Sequence, residues 1–133
     1  MKILQSYLNK YPKTIVYFYP KDNTPGCTLE AHDFSTYQKE FADKDIGIVG
    51  ISKDSEESHK RFKEKQEIHI DLISDPTLEL HKEFGVRGKK NMYGKIIETI
   101  RSTFLVNQKG EILKEWRNVK AKGHVEKILK EVL

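Results

Sequence analysis

The stretch "TIVYFYPKDNTPGCTLEAHDF", Thr14 to Phe34, decides how the chain reads. Thr14–Tyr19 is a run of β-branched and aromatic residues, the composition of a buried strand, and Pro20 ends it. A helix start follows. Thr24 is an N-cap type, and Pro25 falls at the first helical position, where its missing N–H costs nothing. Gly26 and Cys27 come next, inside the first turn, and Cys27 is the only cysteine in the chain. Its N–H is among the donors without an intrahelical acceptor, and the positive end of the helix dipole stabilises an anion there. Both effects favour a thiolate, and Gly26 permits close approach by a small reactant. A lone cysteine also serves as a small buried hydrophobe. A strand–loop–helix junction is where open sheets place their sites, which favours the reactive reading.

Working outward, "IGIVGIS" (Ile46–Ser52) is a second run of strand type. Between the two runs, Leu29, Phe34, Tyr37 and Phe41 recur near helical spacing, so the segment predicts a parallel strand–helix–strand unit. "SEESHKRFKEKQE" predicts a polar helix, with Ser55 as N-cap, Glu56 and Glu57 in the first turn and Phe62 facing the core. "IDLISD" (Ile70–Asp75) reads as a third strand. "DPTLELHKEFGV" carries Asp75 as an N-cap, Pro76 at the first position and Gly85 as a stop. Gly85 to Thr99 has little periodicity and reads as a long loop. "STFLVN" and "EILKEW" flank "QKG", a hairpin signal. "GHVEKILKEVL" places Val125, Ile128, Leu129 and Val132 on one helical face. Near the start, Ile3, Leu4, Tyr7, Leu8 and Tyr11 predict a short helix against the body. The order is that of a mixed α/β sheet with helices on both faces, and a thioredoxin-like layout matches it.

Composition narrows the classes. The 133 residues suit one domain over 1–133 with a single core. The net charge of +4 comes from basic residues interleaved with acidic ones, which describes a solvated helix face with charge pairs rather than a nucleic-acid surface. No window has the apolar length of a membrane span, and "MKILQSYLNK" lacks the apolar core of a secretory signal. A single cysteine excludes an intramolecular disulfide and a multi-thiolate zinc site, and His59, His69, His81 and His124 show no metal-ligand spacing. A reducing cytoplasm is the expected compartment.

The segment "FYPKDNTPGCTLEAHDF" resembles the active-site segment of peroxiredoxins, and specifically the peroxiredoxin Q or bacterioferritin comigratory protein branch. The pattern Pro, three residues, Thr, two residues, Cys falls on Pro20, Thr24 and Cys27. Far downstream, "RSTFLVNQKGEI" resembles the family's Arg-Ser-Thr-Phe strand, and "GISKDS", "LISDP", "FGV" and "KAKGHVEKIL" match in order. The resemblance implies a thioredoxin-like fold and thiol peroxidase chemistry with no cofactor. It implies hydrogen peroxide or organic hydroperoxides as substrates, with an external thiol such as thioredoxin or glutathione as reductant. In that frame Cys27 attacks the peroxide, and Arg101 sets a permanent positive charge beside the sulfur and the departing oxygen. The Thr24 hydroxyl orients the peroxide or caps the helix, Pro20 shields the pocket, and Glu30 holds Arg101 through a bidentate pair.

Two departures stand out. Many members carry a resolving cysteine five residues after the first; here that place is His32, about 140° around the helix from Cys27, a surface position rather than a catalytic pair. An intramolecular disulfide cycle is therefore excluded, and the resemblance implies a single-cysteine mechanism. Members also usually begin with an extra extended segment before the first core strand, where this sequence has "MKILQSYLNKYPK". No nucleic acid or membrane partner is expected, and the chain is expected to be a monomer or weak homodimer. Two other classes share the first chemical step or the fold. A redox sensor read through oxidised Cys27 is the main alternative, whereas a thiol–disulfide oxidoreductase lacks its C-x-x-C pair.

Overall fold

The computed structural model describes residues 2–87 and 99–132. Helix α1 (Lys2–Leu8) precedes strand β1 (Lys13–Phe18). Helices α2 (Pro25–Thr36) and α3 (Gln38–Ala42) lead to β2 (Ile46–Ser52), and α4 (Glu56–Gln66) leads to β3 (Asp71–Ser74). Then come α5 (Glu79–Glu83), the hairpin β4 (Ser102–Asn107) and β5 (Ile112–Trp116), and α6 (His124–Glu131). The strands form one sheet in the order β3-β2-β1-β4-β5. β1 pairs parallel with β2 and antiparallel with β4, so it lies at the centre of a mixed sheet. This is the expected α/β architecture.

Period-two alternation sorts the strands between two cores. Ile15, Tyr17, Ile46, Ile48 and Leu105 face one side, with Cys27 and Phe34 of α2, Phe41 of α3, Phe62 of α4, and Val125 and Ile128 of α6. Val16, Phe18, Val49, Ile51, Phe104 and Val106 face the other, under Leu4 and Leu8 of α1 and Leu80 of α5. The central strands are buried on both faces, which is why they read as continuous apolar runs. The N-terminal helix packs as expected, with Leu4 and Leu8 inward and Ile3 outward.

Local signals are met with two corrections. The Ser55 side chain caps α4, accepting the Ser58 N–H at 3.1 Å. Gly85 stops α5 in the left-handed region, and its N–H reaches Lys82 O while Val86 N–H reaches His81 O, the paired bonds of a Schellman end. The first correction concerns α5, which starts at Glu79 with Leu78 at the N-cap, not at Asp75. Asp75 opens a turn instead, and its carboxylate reaches forward to accept the His81 N–H at 3.0 Å. The second is that the helix expected between β1 and β2 breaks at Tyr37 into α2 and α3. The loop expected over Gly85 to Thr99 falls, for residues 88–98, outside the described residues.

Gly50 shows what the central strands demand. It stands in register between Tyr17 of β1 and Leu72 of β3, and their side chains close over it. A Cβ there would lie 2.7 Å from the Tyr17 ring and 2.8 Å from Leu72 Cδ2. Gly50→Ala should therefore destabilise the protein by about 1–3 kcal/mol through overpacking. Chemical denaturation checks this, with a lowered midpoint and an unchanged slope as the expected result.

Candidate active site

The site is built where β1 runs out. Tyr19 leaves the strand with its N–H on Ile51 O at 3.1 Å, and the chain passes through Pro20 to Thr24 before α2 begins. Thr24 is the N-cap in extended conformation, Pro25 is the first helical residue, and the first helical bond runs from Thr28 N–H to Thr24 O at 2.8 Å. Gly26 and Cys27 precede that bond, so their N–H groups lack an intrahelical acceptor. The Thr24 hydroxyl does not cap; it donates to Lys21 O at 2.8 Å. Its lone pairs stay available at the mouth of the helix.

Arg101, from the segment entering β4, meets this turn across the sheet. Its Nη2 donates to Cys27 Sγ at 3.3 Å, and its Nη1 donates to Glu30 Oε1 at 2.6 Å. One guanidinium thus spans the sulfur and the carboxylate one helical turn below it. The sequence-predicted trio Cys27, Glu30 and Arg101 comes together in direct contact, but the expected bidentate pair is a single bond, because Nη2 is turned to the sulfur and Glu30 Oε2 has no partner. Pro20 and Thr24 stand at the two ends of the loop before α2, and neither is hydrogen-bonded to the sulfur. Gly26 has a role the sequence did not suggest: a Cβ there would crowd Arg101 Nη2 at 3.1 Å. The space left by glycine is taken by the guanidinium. His32 lies exposed on α2, away from the sulfur.

Burial governs the electrostatics. Cys27 is 1% exposed and Glu30 is fully buried. Burial pushes the Glu30 carboxyl up to about 7, against the opposing pull of the Arg101 charge and hydrogen bond. Burial acts to lower the Arg101 pKa, but Glu30 and Cys27 together raise it above its ordinary value. Beneath the pair, the Tyr17 hydroxyl and Glu30 Oε2 are buried with no protein partner. Above it, His124 of α6 is hydrogen-bonded through Nε2 to Thr103 Oγ1 at 2.8 Å. Burial, then the Arg101 and Lys127 charges, hold its pKa down to about 4.

Sequence reasoning passed over the buried histidines. His59 Nδ1 is 2.7 Å from Asp22 Oδ2, and His81 Nδ1 is 2.7 Å from Asp75 Oδ2. Their partners lie in other elements, and nothing in the local spacing of either histidine signals them. Among the described residues no cluster of His, Cys, Asp and Glu is placed to hold a metal ion. No helix among them is long and apolar enough to cross a membrane.

A thiol in the first helical turn after the central strand of a thioredoxin-like sheet, with an arginine on its sulfur, is the arrangement that the resemblance to peroxiredoxins implies. The model of the AhpC/TSA family matches residues 3–115. The chain is 46% identical over 127 residues to peroxiredoxin Bcp of Bacillus subtilis, covering 95% of this chain and 80% of that one. It is 44% identical over 127 residues to a putative peroxiredoxin Bcp of Helicobacter pylori, covering 95% and 82%. The bacterioferritin comigratory protein of Xanthomonas campestris superposes with a TM-score of 0.85 at 41% identity, covering 90% of this chain and 77% of that one. The chain belongs to the AhpC/TSA family, in its peroxiredoxin Q/Bcp branch. Its activity is accordingly that of a thiol peroxidase, and its single cysteine fits a single-cysteine mechanism.

The raised Glu30 carboxyl has a measurable consequence. Its folded pKa, about 7, exceeds the ordinary 4.5 of an unfolded glutamate. Between those values the folded state binds more protons than the unfolded, so this group's contribution to stability falls as pH rises from about 4.5 through 7. Glu30→Gln removes that slope. The melting temperature of the wild type minus that of the variant should therefore be larger at pH 5 than at pH 8, as thermal unfolding at both pH values will measure.

Proposed function

We propose that Cys27 is the peroxidatic residue of a single-cysteine peroxidase, with Arg101, Thr24 and Pro20 completing the site and Glu30 supporting it. The observation that carries the reading is the shared guanidinium, 3.3 Å from Sγ and 2.6 Å from Glu30. A cation held against the sulfur by a buried carboxylate faces the charge that develops on the departing oxygen. The thiolate attacks the terminal oxygen of a peroxide in line with the O–O bond. An S–O bond forms, the O–O bond breaks, and the departing oxygen keeps the electron pair and takes up a proton, leaving as water or an alcohol. Cys27 becomes a sulfenic acid. An external thiol then attacks that sulfur, releases water and forms a mixed disulfide, which a second thiol reduces. The Thr24 hydroxyl, with its proton committed to Lys21 O, presents lone pairs to the peroxide hydrogen.

Hydrogen peroxide and organic hydroperoxides are the proposed substrates. The Xanthomonas campestris relative is described for its alkyl peroxide reduction activity. Thioredoxin or glutathione is the proposed source of the external thiol. Residues 1–133 are read as one peroxidase domain. Its large exposed hydrophobics, among the described residues, are Ile3, Leu29, Ile112 and Leu113, a scattered set suited to a monomer or weak homodimer. A free thiol at the site suits a reducing cytoplasm.

Peroxide consumption tests the assignment. Cys27→Ser should abolish it while leaving the far-UV spectrum unchanged, and turnover near the wild-type rate in that variant would overturn the reading. Arg101→Ala should slow the second-order reaction with peroxide by roughly two orders of magnitude, the scale of one transition-state donor. Arg101→Lys should recover only part of this, because a point charge cannot serve the sulfur and Glu30 at once. Without a reductant, one equivalent of peroxide should give a sulfenic acid on a monomer, and excess should drive it to the sulfinic form. Intact mass then rises by about one and then two oxygens. A disulfide-linked dimer as the main product would show that a second chain resolves the first.

A further inference from the structure

The loop that carries Pro20 and Thr24 into α2 is held at one residue, and that hold reaches away from the sulfur. Asp22 is 5% exposed. Its Oδ1 accepts the Tyr19 hydroxyl at 2.6 Å, and its Oδ2 accepts the Ser58 hydroxyl at 2.8 Å and His59 Nδ1 at 2.7 Å. Its own N–H donates to Asp54 Oδ2 at 2.9 Å, an oxygen that also accepts the Ser52 hydroxyl at 2.7 Å. His59 sits buried in the first turn of α4, and its Nε2 faces Ile73 O of β3 at 3.1 Å. The ring thus bridges the sheet to the loop. Next to Asp22, Asn23 occupies the left-handed region at φ 61°, and Thr24 follows it. A short loop with a left-handed residue keeps one conformation only when its surroundings over-determine it. Here Asp22 supplies the fixed point, midway along the chain between Pro20 and Thr24.

We propose that His59 is a positioning residue for the peroxide reaction: acting through Asp22, it fixes the loop that presents Pro20 and Thr24 at the mouth of α2. It touches neither the sulfur nor Arg101. Its effect falls on the reactant that must be oriented, not on the nucleophile. Peroxide needs Thr24 in place, since a small displacement of an orienting group costs rate steeply. An alkylating agent such as iodoacetamide needs only the sulfur. This inference rests on Cys27 being the reacting residue, which Cys27→Ser tests by itself.

The experiment compares two rates in the same protein, the second-order rates of Cys27 with hydrogen peroxide and with iodoacetamide. His59→Gln places an amide near the Ile73 carbonyl but removes the donor to Asp22. His59→Asn keeps a donor where Nδ1 stood but removes the ring nitrogen that faces Ile73 O. His59→Gln should slow the peroxide reaction about tenfold with alkylation changed less than about twofold, and His59→Asn should hold the peroxide rate within about threefold of wild type. Ser58→Ala, on a partly exposed side chain, provides a variant with little risk to folding. It should slow the peroxide reaction about two- to threefold, again without changing alkylation. The proposal is overturned if the two rates change in parallel in His59→Gln or in Ser58→Ala, if Gln and Asn behave alike, or if the peroxide rate is unchanged in both His59→Gln and Ser58→Ala. A wild type that consumes peroxide without modification of Cys27 would instead overturn the assignment of the sulfur.

Discussion

A guanidinium taken out of water beside a sulfur has to be neutralised, and the fold meets that demand with Glu30. The carboxylate is fully buried and 2.6 Å from Arg101, while its other oxygen finds no protein partner. Such a pair is a poor source of stability, because desolvating both ions offsets much of their attraction. What it secures is geometry. One planar fork, tied at Nη1, leaves Nη2 aimed at Sγ with little freedom to rotate away. The rest of the molecule follows from this constraint. β1 and β4 must be neighbours for Arg101 to reach α2, and Gly26 must lack a side chain for the fork to pass.

The sheet order makes that adjacency rigid. β1 is paired on both sides, with Ile15, Val16 and Tyr17 without exposed surface. Arg101 enters β4 directly opposite the end of β1, where Ser102 pairs with Phe18. The loop that follows β1 and the segment before β4 therefore emerge at the same end of the sheet. Placing a site on strand ends rather than on a free loop limits the play between the two halves, and play is what a reaction oriented over a few tenths of an ångström cannot tolerate.

What the sequence disclosed follows how local each signal is. The strand runs, the Thr24-Pro25 start of α2, the Ser55 cap and the Gly85 stop rest on neighbouring residues, and each appears where the pattern put it. Contacts between distant segments were legible only where the family resemblance supplied them. Arg101 and Glu30 lie 71 residues apart, and no periodicity joins them. The Asp22–His59 bond spans 37 residues, had no motif to announce it, and was missed. His59 sits in a helix whose charged composition describes a solvated face, yet it is buried, because a tertiary carboxylate makes burial of its ring acceptable. The Asp75 correction has the same root. Its N-cap chemistry was read correctly as an acceptor for a helix N–H, but the intervening turn shifts the helix start, and Leu78 adopts φ 62° to allow it.

The burial of the sulfur carries the argument into the second half of the cycle. A peroxide is small enough to reach a cysteine that is 1% exposed, but the attacking sulfur of a protein thiol must approach along the new S–O bond with its own chain behind it. Cys27 lies on the first turn of α2, whose leading N–H groups have no side-chain cap. The first helical bond, Thr28 N–H to Thr24 O, runs to that uncapped end. The Arg101 contact, 3.3 Å from Sγ, ties that turn to the segment before β4, so the sulfur is held from the helix and from the sheet at once.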